Sequence, residues 1–131
     1  MKITADTNVL VRGVLRDDES QARAVDKTLN EATLIAVSLP CLCEFVWVLR
    51  KVYSFDKADI AAAICALAQT EKIVMNRPAV EAGLTILAAG GDFADGVIAY
   101  EGNWLGGETF VSFDKQAVSI LTAQGQSARL L

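Results

Sequence analysis

Apolar residues along this chain follow two rhythms. Short runs rich in β-branched residues and bounded by polar ones read as strands, and an unbroken run such as Thr33-Leu34-Ile35-Ala36-Val37 reads as a strand covered on both faces. Longer segments with apolar residues at i, i+3, i+4 and i+7 read as helices with one buried stripe. The pattern predicts strands over 3–6, 33–37, 72–75, 109–112 and 128–131, and helices over 8–14, from residue 17 to about 30, from 38 through 53, and over 56–68, 78–89, 92–103 and 114–123. Strands alternating with helices imply an α/β fold, a three-layer sandwich with a central parallel sheet of four or five strands flanked by helices.

Local chemistry supports these boundaries. Asp17, Asp18 and Glu19 offer caps and dipole-favoured acids for the second helix. Ser38 caps the third, with Pro40 tolerated in its first turn. Leu42, Phe45, Val46, Leu49, Val52 and Tyr53 form that helix's packing stripe, and Glu44 lies off it. Gly90-Gly91 ends one helix and Asp92 is placed to cap the next. No repeat, low-complexity tract or linker divides residues 1–131, so one domain is expected.

In a parallel α/β sheet, strand C-termini and the following helix N-termini share the edge where ligands bind. Asp6 closes the first strand, Glu44 sits early in the helix after the second, Asp92 and Asp95 open a later helix, and Asp114 opens the last. Asp6 draws attention because apolar runs flank it, and a carboxylate destined for the interior is costly unless neutralised. The plainer reading of each acid is a helix cap, which serves well for Asp92 and, among the others, for Asp17, Asp18, Asp56 and Asp59. Several carboxylates brought to one edge repel each other, which a hard cation such as Mg²⁺ or Mn²⁺ relieves through oxygen ligands.

Composition narrows the chemistry. The chain has 131 residues, 53% hydrophobic, and no histidine. That removes Ser-His-Asp and Cys-His catalysis and histidine-ligated metals, leaving carboxylates to carry any acid–base or metal work. Three cysteines, Cys41, Cys43 and Cys65, are too few for a structural zinc site and are expected to be reduced and mostly buried. No apolar run approaches the roughly 18 residues that span a bilayer. An acid at position 6 interrupts any signal-peptide core, so a cytoplasmic protein is expected. Net charge is −4, an unfavourable balance for binding nucleic acid.

Four motifs together resemble a known family. Asp6-Thr7-Asn8-Val9-Leu10-Val11, Glu44 within Cys-Glu-Phe-Val-Trp-Val-Leu, Asp92-Phe93-Ala94-Asp95-Gly96-Val97-Ile98-Ala99, and Thr109-Phe110-Val111-Ser112-Phe113-Asp114-Lys115 occur in the order found in PIN domains. More narrowly, the chain resembles the VapC-type toxin ribonucleases of type II toxin–antitoxin systems. The resemblance implies a Mg²⁺-dependent (or Mn²⁺-dependent) endoribonuclease that cuts RNA, is neutralised by a cognate antitoxin and commonly forms a homodimer. It implies catalytic roles for Asp6, Glu44, Asp95 and Asp114, with Asp6 and Asp95 as principal metal ligands and Glu44 and Asp114 as further ones. Asn8 and Ser112 correspond to supporting residues. Gly96 departs from the more frequent alanine and puts local helix stability in question.

The acidic site itself accounts for part of the −4 charge, and Arg12, Arg16, Arg50, Lys51 and Lys115 lie near the acid-bearing segments, where they offer phosphate contacts. Two other readings differ in class. Asp6-Thr7-Asn8-Val9 faintly resembles the nucleophile loop of haloacid-dehalogenase-like phosphatases, but Asn8 stands where that loop needs a second aspartate. A non-catalytic PIN-like binding module is the other. Phe45, Trp47, Tyr53 and Trp104 are apolar candidates for a partner surface, although residues of this kind more often belong to the core.

Overall fold

Each strand here is short, and five of the helices begin at a side chain that accepts one of their first amides. A computed structural model describes Met1–Leu131. The chain divides into two compact units, Met1–Asn76 and Arg77–Leu131.

The first unit carries β1 (Lys2–Thr4), α1 (Thr7–Leu15), α2 (Glu19–Glu31), β2 (Leu34–Ala36), α3 (Leu39–Lys51), α4 (Lys57–Ala68) and β3 (Ile73–Val74). Its strands form a parallel sheet in the order β1-β2-β3, with Ile3 opposite Ile35 and Ile35 opposite Ile73. The ladder runs slightly past the strands, through Ala5 N–H to Ala36 O at 3.0 Å and Val37 N–H to Val74 O at 3.0 Å. Asp6 and Ser38 therefore leave the sheet at the same edge and serve as N-caps of α1 and α3. Asp18 and Asp56 cap α2 and α4, as their positions predicted. The core is aliphatic and aromatic, with Ile35, Leu42, Phe45, Leu49, Ile60 and Ile64 fully buried. Truncating one of these to alanine removes both burial and packing, a cost of about 2–5 kcal/mol.

The second unit carries α5 (Arg77–Ala88), α6 (Phe93–Trp104), β4 (Phe110–Ser112), α7 (Lys115–Ala123) and β5 (Ala128–Leu130). β4 and β5 pair in parallel as a separate two-stranded sheet. The α/β class and the parallel pairing agree with the pattern in the sequence. The five strands, however, form a three-stranded and a two-stranded sheet instead of one continuous sheet of four or five. Strand pairing is a tertiary property, and runs of two or three residues carry too little register information to reveal it.

Helices α5 and α6 approach each other unusually closely. A Cβ on Gly96 would collide with the carbonyl of Ala82 and sit 2.8 Å from the Cα of Gly83, and one on Gly83 would lie 2.6 Å from the Phe93 ring. The departure at Gly96 is thus required by packing, and the concern over helix stability is resolved by what the missing side chain allows. Phe93, itself fully buried, fills the space that Gly83 leaves.

Two side-chain expectations need correction, for the cysteines and for the aromatic residues. Cys41 is buried, but Cys43 is only half-buried and Cys65 is exposed on α4. Phe45 is a core residue and Tyr53 is half-buried, whereas Trp47 and Trp104 are 58% and 77% exposed. Trp47 lies on the face of α3 opposite the packing stripe, and Trp104 is the last residue of α6, beyond the reach of the core.

Candidate active site

The acids divide between the units. In the first, Asp6 ends the ladder and caps α1, its Oδ1 accepting the Thr7 amide at 2.8 Å. The residues around it alternate in burial, Ala5 and Thr7 inside, Asp6 and Asn8 exposed. Its carboxylate therefore stays in solvent, contrary to the interior placement that its apolar neighbours suggested. The period-2 geometry of an extended segment turns successive side chains to opposite faces. Glu44 is likewise exposed, in the second turn of α3, as its position off the packing stripe implied.

Between these two acids lies Cys41. Its thiol donates to the carbonyl of Ala5 at 3.5 Å and accepts from the Thr7 hydroxyl at 3.7 Å, tying the start of α3 to the junction of β1 and α1. Thr7 is the one buried polar side chain of the chain, and this bond satisfies it. Burial raises the Cys41 pKa, the Thr7 hydroxyl opposes that rise, and the charges of Asp6 and Glu44 add to it. Both carboxylates therefore act on one buried thiol. The sequence singled out Asp6 and Glu44 and missed Thr7 and Cys41; the i, i+3 spacing of Cys41 and Glu44, one helical turn, was the available signal.

In the second unit Asp92, Asp95 and Asp114 form the other group. Burial raises the pKa of Asp95, and the charges of Asp92 and Asp114 raise it further. Asp92 holds the N-cap position of α6 but makes no side-chain cap hydrogen bond there, so the capping role proposed for it does not hold. Asp114 does cap: its Oδ1 accepts the amides of Gln116 at 2.9 Å and Ala117 at 3.1 Å. The Ser112 hydroxyl oxygen accepts the Asp114 amide at 2.9 Å, which fixes the turn that presents this acid. Capping and ligation are compatible at Asp6 and Asp114. One carboxylate oxygen orders the helix start, and Oδ2 remains outside those bonds.

Two of the cations offered for phosphate contact are engaged elsewhere. Arg12 pairs with Asp17 at 3.1 Å and Arg16 with Asp26 at 2.6 Å, both at the surface. The Arg16 guanidinium holds the Asp26 carboxyl below its ordinary value. Lys51 and Lys115 are exposed.

The donors around Asp95 are all carboxylate oxygens, the chemistry that suits Mg²⁺ or Mn²⁺ and not a soft ion. No set of three or more such side chains is arranged to enclose an ion. No helix is long and apolar enough to cross a membrane.

No curated protein sequence is significantly similar to this chain. The family model for the PIN domain matches residues 3–119, nearly the full length and every acid named above. The chain belongs to the PIN-domain family, whose members are in general nucleases acting on nucleic acid.

Proposed function

We propose that this protein is a Mg²⁺- or Mn²⁺-dependent endoribonuclease, the VapC-type toxin of a toxin–antitoxin pair, cytoplasmic, held inactive by a cognate antitoxin and working as a homodimer. The observation that carries the nuclease reading is the half-buried Asp95 under the charge of Asp92 and Asp114, in a chain of the PIN family. A carboxylate so placed is held at a cost that a bound cation removes. Asp6 and Asp95 are assigned as the principal metal ligands, Glu44 and Asp114 as the further acids, and Asn8 and Ser112 as supporting residues.

The division of labour follows from the hydrogen bonds. Asp6 and Asp114 are oriented by the amides they accept, so each presents its second oxygen without a search among rotamers. Ser112 holds Asp114 by its backbone. Mg²⁺ held by Asp6 and Asp95 would offset the charge of the phosphodiester and lower the pKa of a water nucleophile. Glu44, exposed on α3, is available to accept a proton at a carboxylate oxygen. Family membership favours this reading over an Asp6 phosphatase, and the presence of all four acids favours it over a non-catalytic binding module.

The test is direct. Asp6→Asn and Asp95→Asn should each abolish cleavage of total RNA while the circular dichroism spectrum stays unchanged; activity within a few-fold of wild type would sink the assignment. Millimolar Mg²⁺ should raise the melting temperature of the wild type and not of Asp95→Asn, because a ligand of the folded state alone stabilises it. Growth arrest on expression, relieved by a co-expressed partner, tests the toxin role.

A further inference from the structure

Phe113 stands at the end of β4 between Ser112 and Asp114, and 81% of it is exposed. No other aromatic side chain of the protein is left so open to solvent. Leaving a phenyl ring in water forfeits the free energy that burial supplies, and nothing in the turn's geometry requires an aromatic residue there. The backbone carrying the ring is nevertheless fixed on both sides. The Ser112 carbonyl accepts the Leu131 amide at 3.0 Å, the Ser112 hydroxyl oxygen accepts the Asp114 amide at 2.9 Å, and Asp114 is locked by its cap. A flat apolar surface is thus held on a rigid turn one residue from a candidate catalytic acid.

We infer that Phe113 is a substrate-binding residue that stacks on an unpaired RNA base beside Asp114. The inference rests on the nuclease reading above and adds how the substrate is held. The surroundings favour RNA over a protein partner. Asp114, Lys115 and Gln116, which follow the ring, are exposed polar or charged residues, whereas the core of a protein interface is depleted of charge. An exposed ring with an exposed lysine two residues on, and with exposed Leu131 bonded through its amide to Ser112, suits the two parts of a nucleotide, the base for the apolar surface and the phosphate for the ammonium. A base within a duplex is already stacked, so the site selects single strands or loops.

Binding of a fluorescein-labelled, mixed-sequence single-stranded RNA, measured by anisotropy in EDTA at low salt, tests this without cleavage. Phe113→Ala should weaken binding by about 5- to 150-fold, and Phe113→Trp should restore it. An abasic oligonucleotide of the same length should bind wild type and Phe113→Ala equally. Trp104→Ala is the control, since Trp104 is also exposed but lies about 13 Å along α6 from Asp95; it should bind RNA as wild type does. With Mg²⁺, Phe113→Ala should raise KM more than it lowers kcat. If the wild type binds and cleaves RNA but Phe113→Ala binds it equally well, the stacking role is overturned and the nuclease reading stands. Unchanged RNA binding together with an altered sedimentation coefficient would reassign Phe113 to a protein contact. If the wild type neither binds nor cleaves RNA, both readings fall.

Discussion

The same ingredient, carboxylates set at helix starts beside a partly buried group, raises that group's pKa in both units but with different consequences. In the first, the charges of Asp6 and Glu44 bear on the thiol of Cys41, which is neutral at physiological pH and answers by keeping its proton. That response adds no charge, so the thiol itself creates no repulsion for a cation to relieve beside Asp6 and Glu44. In the second, the charges of Asp92 and Asp114 bear on Asp95, a group whose ordinary state is itself anionic. Negative charge pressed on negative charge is a standing cost, relieved by a proton or by a metal ion. The comparison teaches that the number of acids in a region is a poor guide to its demand for a cation; what the acids face decides it.

The largest effect that separates the two regions should come from glycines. Gly96→Ala places a methyl group against the Ala82 carbonyl and Gly83, and should cost about 1–3 kcal/mol as α5 and α6 separate. On a chain of this size that is a loss of several degrees in melting temperature. Gly13→Ala on α1 is the counterpart. There the new methyl meets only Val25 Cγ1 at 3.5 Å, an ordinary contact, and better helix propensity should stabilise the protein by up to about 1 kcal/mol. Thermal scans of the two variants should move in opposite directions; a loss for both would mean that the clearance at Gly13 is illusory.

Helix capping should separate the regions by less. Asp114→Ala removes the acceptor of two amides and should cost about 1 kcal/mol in urea denaturation, with Asp114→Asn recovering most of it. Asp6→Ala removes the acceptor of one amide, that of its own neighbour Thr7, and should cost less. Equal losses would break the distinction between a two-bond and a one-bond cap.

The smallest shift is the most diagnostic. Because the pKa of Asp95 is raised in the folded protein, the folded state holds its proton to higher pH than the unfolded chain. The contribution of Asp95 to stability is therefore fully present below the ordinary carboxylate range and is lost as pH rises through its folded-state pKa. Asp95→Asn removes that penalty. In EDTA it should melt above wild type at pH 7, and the gain should vanish near pH 3, where Asp95 is protonated in both states. Saturating Mg²⁺ should reverse the order at pH 7 by stabilising only the wild type. A pH-independent difference in EDTA would locate the effect in packing and remove the electrostatic contrast between the units.

Much of the molecule was legible without coordinates. The run 33–37 and the caps at Asp18, Ser38, Asp56 and Asp114 fall where local chemistry put them, and the predicted stripe holds from Leu42 to Leu49 but fails at Val52, which is exposed past the end of α3. Periodicity and capping depend on neighbours within a few residues, so the sequence contains them. The PIN-family match spans residues 3–119, the stretch that holds these motifs. Asp6 shows where that reading stopped. Its apolar neighbours suggested an interior carboxylate, yet an extended backbone turns it out while Ala5 and Thr7 turn in.

What only the tertiary structure decided is what each local feature meets. Gly96 reads as a defect in a helix until Ala82 of another helix is seen in the space a Cβ would take. Asp92 reads as a cap until its side chain is found to make no cap bond and its charge to fall on Asp95. Cys41 reads as filler until it joins Ala5 and Thr7 from across the sheet edge. The five strands read as one sheet until they pair as three and two. Sequence determined the elements and the acids because those follow from short-range sterics and hydrogen bonding. Contacts between residues distant in the chain determined the electrostatics of each acid, because desolvation and charge depend on what surrounds it in space.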